Sequence, residues 1–198
     1  MTVGRTALVL TASDRSAAGT REDASGAALE ARLIELGFAV ERQVVADDRS
    51  AISARLRDGA VRHPLIVTTG GTGLTPRDVT PQATLDAIDY EVPGLAEAMR
   101  SDGRAKTPFA ALSRSVVGVL GRTLVVNTPG SPKAALESLD AIAPVLDHAL
   151  ETLAGPFDHA GSIPSATADA PAPSAPAAPS QAPIAHKPSS APVEEDRS

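Results

Sequence analysis

Cysteine and tryptophan are absent from this 198-residue chain, and three phenylalanines and one tyrosine hold its aromatic content to 2%. Without cysteine there is no disulfide, no thiolate zinc site and no sulfur nucleophile. So few aromatics leave no platform for stacking bases. The net charge of −6, with acids and bases interspersed over the first three quarters, offers no basic surface; no nucleic-acid partner is expected. No apolar run is long enough to span a bilayer, and Met1–Arg5 lacks the charged segment, apolar run and cleavage site of a signal peptide. A cytoplasmic protein with no membrane partner is expected. The four histidines show no triad or metal-binding spacing: His63 precedes Pro64 at a strand start, His148 falls on the last helix, and the other two lie in or near the tail.

Hydrophobic residues make up 42% of the chain, enough for one sizeable core. Ala7 to Ser13 is a short, nearly continuous apolar run of the kind buried on both faces of a sheet. Asp23 or Ser25 suits the cap of a helix carrying Ala28, Leu29, Leu33 and Leu36 at helical spacing, which Gly37 ends. Phe38 to Val45 reads as a second strand, and Ser50 to Ala60 as a helix capped by Asp48 or Ser50. Leu65 to Thr69 is the third strand. This βαβαβ rhythm predicts a largely parallel sheet covered by helices on both sides. Helices over Gln82–Ile88 and Pro93–Arg100 follow, then strands over Ser115–Val119 and Thr123–Val126 about a Gly121-Arg122 turn. A last helix runs from Lys133 to Leu153, with Pro144 inside it expected to kink or break it. After Gly155 proline, alanine and serine dominate; residues 1–154 form the expected domain and 155–198 an expected disordered tail.

Leu65 to Pro81 organises the rest. A β-branched strand stops abruptly, Gly70-Gly71-Thr72-Gly73 follows, and Thr80-Pro81 opens a helix. Backbone amides left without partners at such a bend suit a phosphate. The bend is not a Walker A loop, since no Gly-Lys-Ser/Thr follows. Ser13-Asp14-Arg15 and Asn127–Ser131 also follow strands, and in parallel sheets ligands bind at the carboxyl ends of strands. Asp47 follows a strand as well; beside Asp78 it would give a phosphate nest two carboxylates, the donor set that suits Mg²⁺. Each feature also has a plainer role: Asp47 or Asp48 suits a helix cap, Asp78 a cap near Thr80, Ser131 the cap of the last helix, and Arg77 a solvated charge.

The ordered set Ser13-Asp14-Arg15, Thr68-Thr69-Gly70-Gly71-Thr72-Gly73, Pro76-Arg77-Asp78-Val79-Thr80-Pro81, Thr107-Pro108-Phe109, Leu112-Ser113-Arg114 and Asn127-Thr128-Pro129-Gly130-Ser131 closely resembles the Mog/MoaB family of molybdenum-cofactor biosynthesis proteins. The resemblance covers about Thr6 to Ala154. It implies a three-layer α/β/α fold, usually a homotrimer, that adenylylates the terminal phosphate of molybdopterin with ATP and releases pyrophosphate. It also implies Asp47 and Asp78 as the catalytic carboxylates holding Mg²⁺. Gly70, Gly71, Thr72 and Gly73 would cradle phosphates and Ser113 would lie at the same site, with Ser13, Asp14, Pro129, Gly130 and Ser131 completing the pocket. A molybdenum-insertion partner protein is implied downstream. Two positions depart from the family pattern: Ala46 precedes the acidic pair where proline is frequent, and Thr128 stands where an apolar residue is commoner. A catalytically weak, MoaB-type binding or scaffold protein is the alternative reading. The related domain of competence-damage-inducible proteins, which acts on nicotinamide nucleotides, fits the glycine-loop continuation less well.

Overall fold

A computed structural model of the chain describes residues 5–155; the expectation of a disordered tail concerns residues outside that range. The strands are β1 (Thr6–Ala12), β2 (Ala39–Val45), β3 (Leu65–Thr69), β4 (Tyr90–Glu91), β5 (Val117–Leu120) and β6 (Thr123–Thr128). The helices are α1 (Asp14–Ala17), α2 (Ala24–Glu35), α3 (Arg49–Ala60), α4 (Thr80–Leu85), α5 (Pro93–Lys106) and α6 (Pro132–Ala154), with a 3₁₀ turn over Pro108–Leu112. All six strands join one sheet in the order β2-β1-β3-β6-β5-β4. β2, β1, β3 and β6 run parallel; β5 and then β4 pair antiparallel at the far edge.

The continuous apolar runs of β1, β3 and β6 are explained by burial on both faces. Ala7, Val9, Leu65, Val67, Leu124 and Val126 point into one core with α2, α5 and α6. The alternate residues Leu8, Leu10, Ile66 and Val125 point into a second core with α3 and α4. A period of two thus divides each strand between two helical layers, as in the expected three-layer α/β/α architecture.

Adjacent acids take different roles at the helix starts. Asp23 caps α2, accepting from the Gly26 amide at 2.8 Å, and Asp48 caps α3, accepting from Ala51 at 2.8 Å. Asp47 is therefore left out of the cap. Of the expected kink or break at Pro144, the break does not occur: α6 runs on through it. Pro144 lies on the exposed face, so the Asp140 carbonyl it leaves without an amide is open to water, while Ile142, Leu146 and Leu150 anchor both flanks in the core. The two-residue β4 and the one-turn α1 went unpredicted, being too short to show a periodicity. Among the described residues no helix is long and apolar enough to cross a membrane.

Candidate active site

After β1 the chain passes to α2 on one face of the sheet; after β3 it passes to α4 on the other. Neighbouring strands that part in this way leave a crevice at their carboxyl ends. A cavity of about 490 Å³ opens there, lined among others by Ser13, Asp14, Asp47, Gly70, Gly71, Asp78 and Gly130. A second cavity, of about 270 Å³, lies between α5, the 3₁₀ turn and the start of α6. Thr72, Gly73, Ser113 and Pro129 line it, over a mainly apolar wall that includes Met99, Phe109 and Leu112. Consecutive residues of one loop therefore face different cavities: Gly70-Gly71 the first, Thr72-Gly73 the second, and Gly130 and Pro129 divide the same way. Ser131, at the start of α6, lines neither cavity and makes no capping hydrogen bond.

Close backbone approach sets the bend. Gly70 and Gly71 have φ of 94° and 63°, a region costly to residues with a Cβ. A Cβ on Gly70 would stand 2.3 Å from the Ala12 carbonyl oxygen, and one on Gly130 would stand 3.2 Å from Gly70 Cα. The strand ends are drawn together beneath them by Asn127, buried in β6. Its amide group donates to Thr68 Oγ1 at 3.0 Å and to Thr84 Oγ1 at 2.9 Å. Thr128, the departure noted above, is buried with its hydroxyl donating to the Thr68 carbonyl at 2.8 Å, so its polarity is satisfied.

Of the five acidic residues that line the first cavity, Asp14, Asp47 and Asp78 lie in unlike surroundings. Asp14 and Asp47 hold each other: the Asp14 amide donates to Asp47 Oδ2 and the Asp47 amide to Asp14 Oδ1, each at 3.0 Å. Asp14 Oδ2 also pairs with the guanidinium of Arg77, which reaches across from the loop after β3. The hydrogen bond from Arg77 chiefly holds the Asp14 carboxyl below its ordinary range, and Asp14 in turn raises Arg77. Asp78 closes its own turn instead of capping α4. Its Oδ2 accepts from the Thr75 amide at 2.8 Å and the Thr75 hydroxyl at 2.6 Å. Burial alone would raise the Asp78 pKa, but these bonds, the Gly73 amide and the nearby charge of Arg114 together outweigh it and lower the group. Asp78 is thus ionised at neutral pH.

The role of Arg114 escaped the sequence reading, although its motif stood out. Its amide donates to the Thr72 carbonyl at 3.1 Å, its Nε to the Gly73 carbonyl at 2.6 Å, and its guanidinium to the Asp78 carbonyl. Backbone and side chain of Arg114 thus tie Thr72, Gly73 and Asp78 together at the far end of the loop between the cavities. The Gly71 and Thr72 amides donate to no acceptor among the described residues, leaving two N–H groups at the dividing wall.

Among the described residues no group of three or more histidine or acidic side chains is placed to hold a metal ion. Mg²⁺ does not require such a cage: one or two carboxylates suffice when substrate phosphates and water complete its shell. Asp47 and Asp78 on one cavity fit an ion that arrives with a phosphorylated substrate.

Residues 8–148 match the sequence model of a family described as a probable molybdopterin binding domain. The chain is 38% identical over 156 residues to a molybdopterin adenylyltransferase of Helicobacter pylori strain J99, covering 75% of this chain and 88% of the relative. Among solved structures it resembles the molybdopterin biosynthesis Mog protein of Mycobacterium ulcerans, at 41% identity and a TM-score of 0.72, covering 76% of this chain and 99% of that one. It also resembles the molybdopterin biosynthesis enzyme MoaB of Thermus thermophilus, at 50% identity and a TM-score of 0.69, covering 75% and 95% respectively.

Proposed function

This chain belongs to the probable molybdopterin binding domain family, and from that membership we propose that it is a molybdopterin adenylyltransferase acting in molybdenum-cofactor biosynthesis. The observation that carries the reading is the pair of cavities divided by the Gly70–Gly73 loop. The carboxylate-bearing cavity suits the phosphates of ATP with Mg²⁺, and the more apolar one suits a flat pterin beside Ser113. Their phosphates would meet at the wall, where the Gly71 and Thr72 amides stand without partners.

In the proposed reaction an oxygen of the molybdopterin phosphate forms a bond to the α-phosphorus of ATP. The bond to the bridging oxygen of the β-phosphate breaks, and its electron pair leaves with pyrophosphate. The nucleophile is already an anion, so no strong base is needed; alignment and charge neutralisation carry the rate. Asp47 and Asp78 would hold Mg²⁺, which neutralises phosphate charge when bound. The glycine amides orient the phosphates, and Arg114 keeps Asp78 and the wall in register. The adenylylated product would pass to a molybdenum-inserting partner protein. A homotrimer belongs to the same proposal, and light scattering of the full chain measures it.

Incubation of the protein with molybdopterin, ATP and Mg²⁺ should yield adenylyl-molybdopterin and pyrophosphate. Asp78→Asn keeps an oxygen for the Thr75 amide, so the fold should persist while turnover falls by at least about a hundredfold. Full turnover in that variant removes the carboxylate role. Molybdopterin binding by the wild-type protein without product formation would favour the MoaB-type binding role instead.

A further inference from the structure

The Arg77–Asp14 pair sits on the rim of the first cavity, with side-chain exposures of 65% and 45%. Its partners are not equally free. Asp14 is fastened at two points, through Oδ1 to the Asp47 amide and through its own amide to Asp47 Oδ2. The Arg77 guanidinium ends a long side chain on the outer turn of the loop. An ion pair so open to water contributes little to stability, so exchanging its partner costs little. The field on Arg77 comes first from Asp14 and then from Asp47 and Asp48; Arg15 and Arg21 line the same cavity, but Arg77 is the cation paired with Asp14.

We propose that Arg77 is a cation placeholder: it pairs with Asp14 beside Asp47 in the substrate-free protein and exchanges Asp14 for a phosphate of the incoming nucleotide when a divalent cation comes to Asp47 and Asp78. This deepens the adenylyl-transfer reading and rests on it, naming the positioning residue for the nucleotide. Two cations beside one carboxylate repel, so Arg77 and a metal at Asp47 compete. The planar guanidinium matches phosphate oxygens with two parallel donors, which makes the triphosphate its alternative partner. Competition with one ligand and support of another shift affinities in opposite directions. A merely structural strut does not.

The test uses the full chain and its Arg77→Gln and Arg77→Lys variants. Mn²⁺ binding without nucleotide is read by the electron paramagnetic resonance of the free ion, and ATP binding in the presence of Mg²⁺ by calorimetry. Arg77→Gln should bind Mn²⁺ about three- to tenfold more tightly, because a competing charge is gone, and ATP about tenfold more weakly. Arg77→Lys, which keeps the charge without the fork, should hold Mn²⁺ as the wild type does and recover part of the ATP affinity. Unchanged or weakened Mn²⁺ binding in Arg77→Gln, or unchanged ATP binding, overturns the placeholder role. A wild-type chain that binds ATP neither alone nor with Mg²⁺ defeats the adenylyl-transfer reading itself, which separates the two failures.

Discussion

Two neighbouring acids, Asp47 and Asp48, show how much one residue's setting decides. Either suits a helix cap by composition, but only Asp48 accepts from the first turn of α3. Asp47, one step earlier, engages Asp14 and lines the cavity. No local signal separates them, because the choice depends on where β1 has carried Asp14. Gly70 is the opposite case, since a strand followed by paired glycines already announces a tight bend. The structure adds why alanine is not tolerated there: φ is 94° and the Ala12 carbonyl lies 2.3 Å from the added Cβ. Gly70→Ala should therefore lose at least about 2 kcal/mol of stability. Urea unfolding measures it, and a loss under half that figure would show that the loop relaxes freely.

At the scale of elements, length and periodicity decided what could be foreseen. The long helices α2, α3 and α6 and the buried strands β1 and β3 lie within a residue or two of their expected places. The helix α5 runs six residues past Arg100, to Lys106, and α4 stops short at Leu85, because packing rather than pattern sets their ends. Pro144 does not break α6, because tertiary contacts on both flanks hold the helix together. The proline still removes one backbone bond, so Pro144→Ala should restore a donor to the Asp140 carbonyl. A gain of roughly 1–3 kcal/mol in unfolding free energy is expected, less any entropy returned to the unfolded chain. A variant less stable than the wild type would show that the proline ring packs usefully.

For the whole molecule, charge is organised as scattered pairs. The carboxyls of Asp14, Asp78, Asp86 and Asp147 are all held below their ordinary value. Hydrogen bonds from Arg77, Arg49 and Arg5 are the chief cause at Asp14, Asp86 and Asp147, and at Asp78 hydrogen bonds outweigh an opposing burial effect. Depressed values in the folded state mean that the unfolded chain takes up protons first on acidification. The stability these groups contribute is fully present above the unfolded value of about 4 and is lost as pH falls through their folded values. Urea midpoints should thus fall below about pH 4, with no loss from these aspartates between pH 7 and 5. A midpoint that rises between pH 4 and 3 contradicts the pairing.

By itself the sequence determined the layered fold, the glycine bend and the candidate polar residues, because each rests on short-range rules of burial period, backbone freedom and strand-end loops. Tertiary structure alone decided that these residues divide between two cavities, that Arg114 braces the wall between them, and that Arg77 reaches Asp14 across 63 positions of chain. Contacts between distant loops depend on how strands are ordered in the sheet. That order is set by the packing of both cores at once, not by any segment read alone.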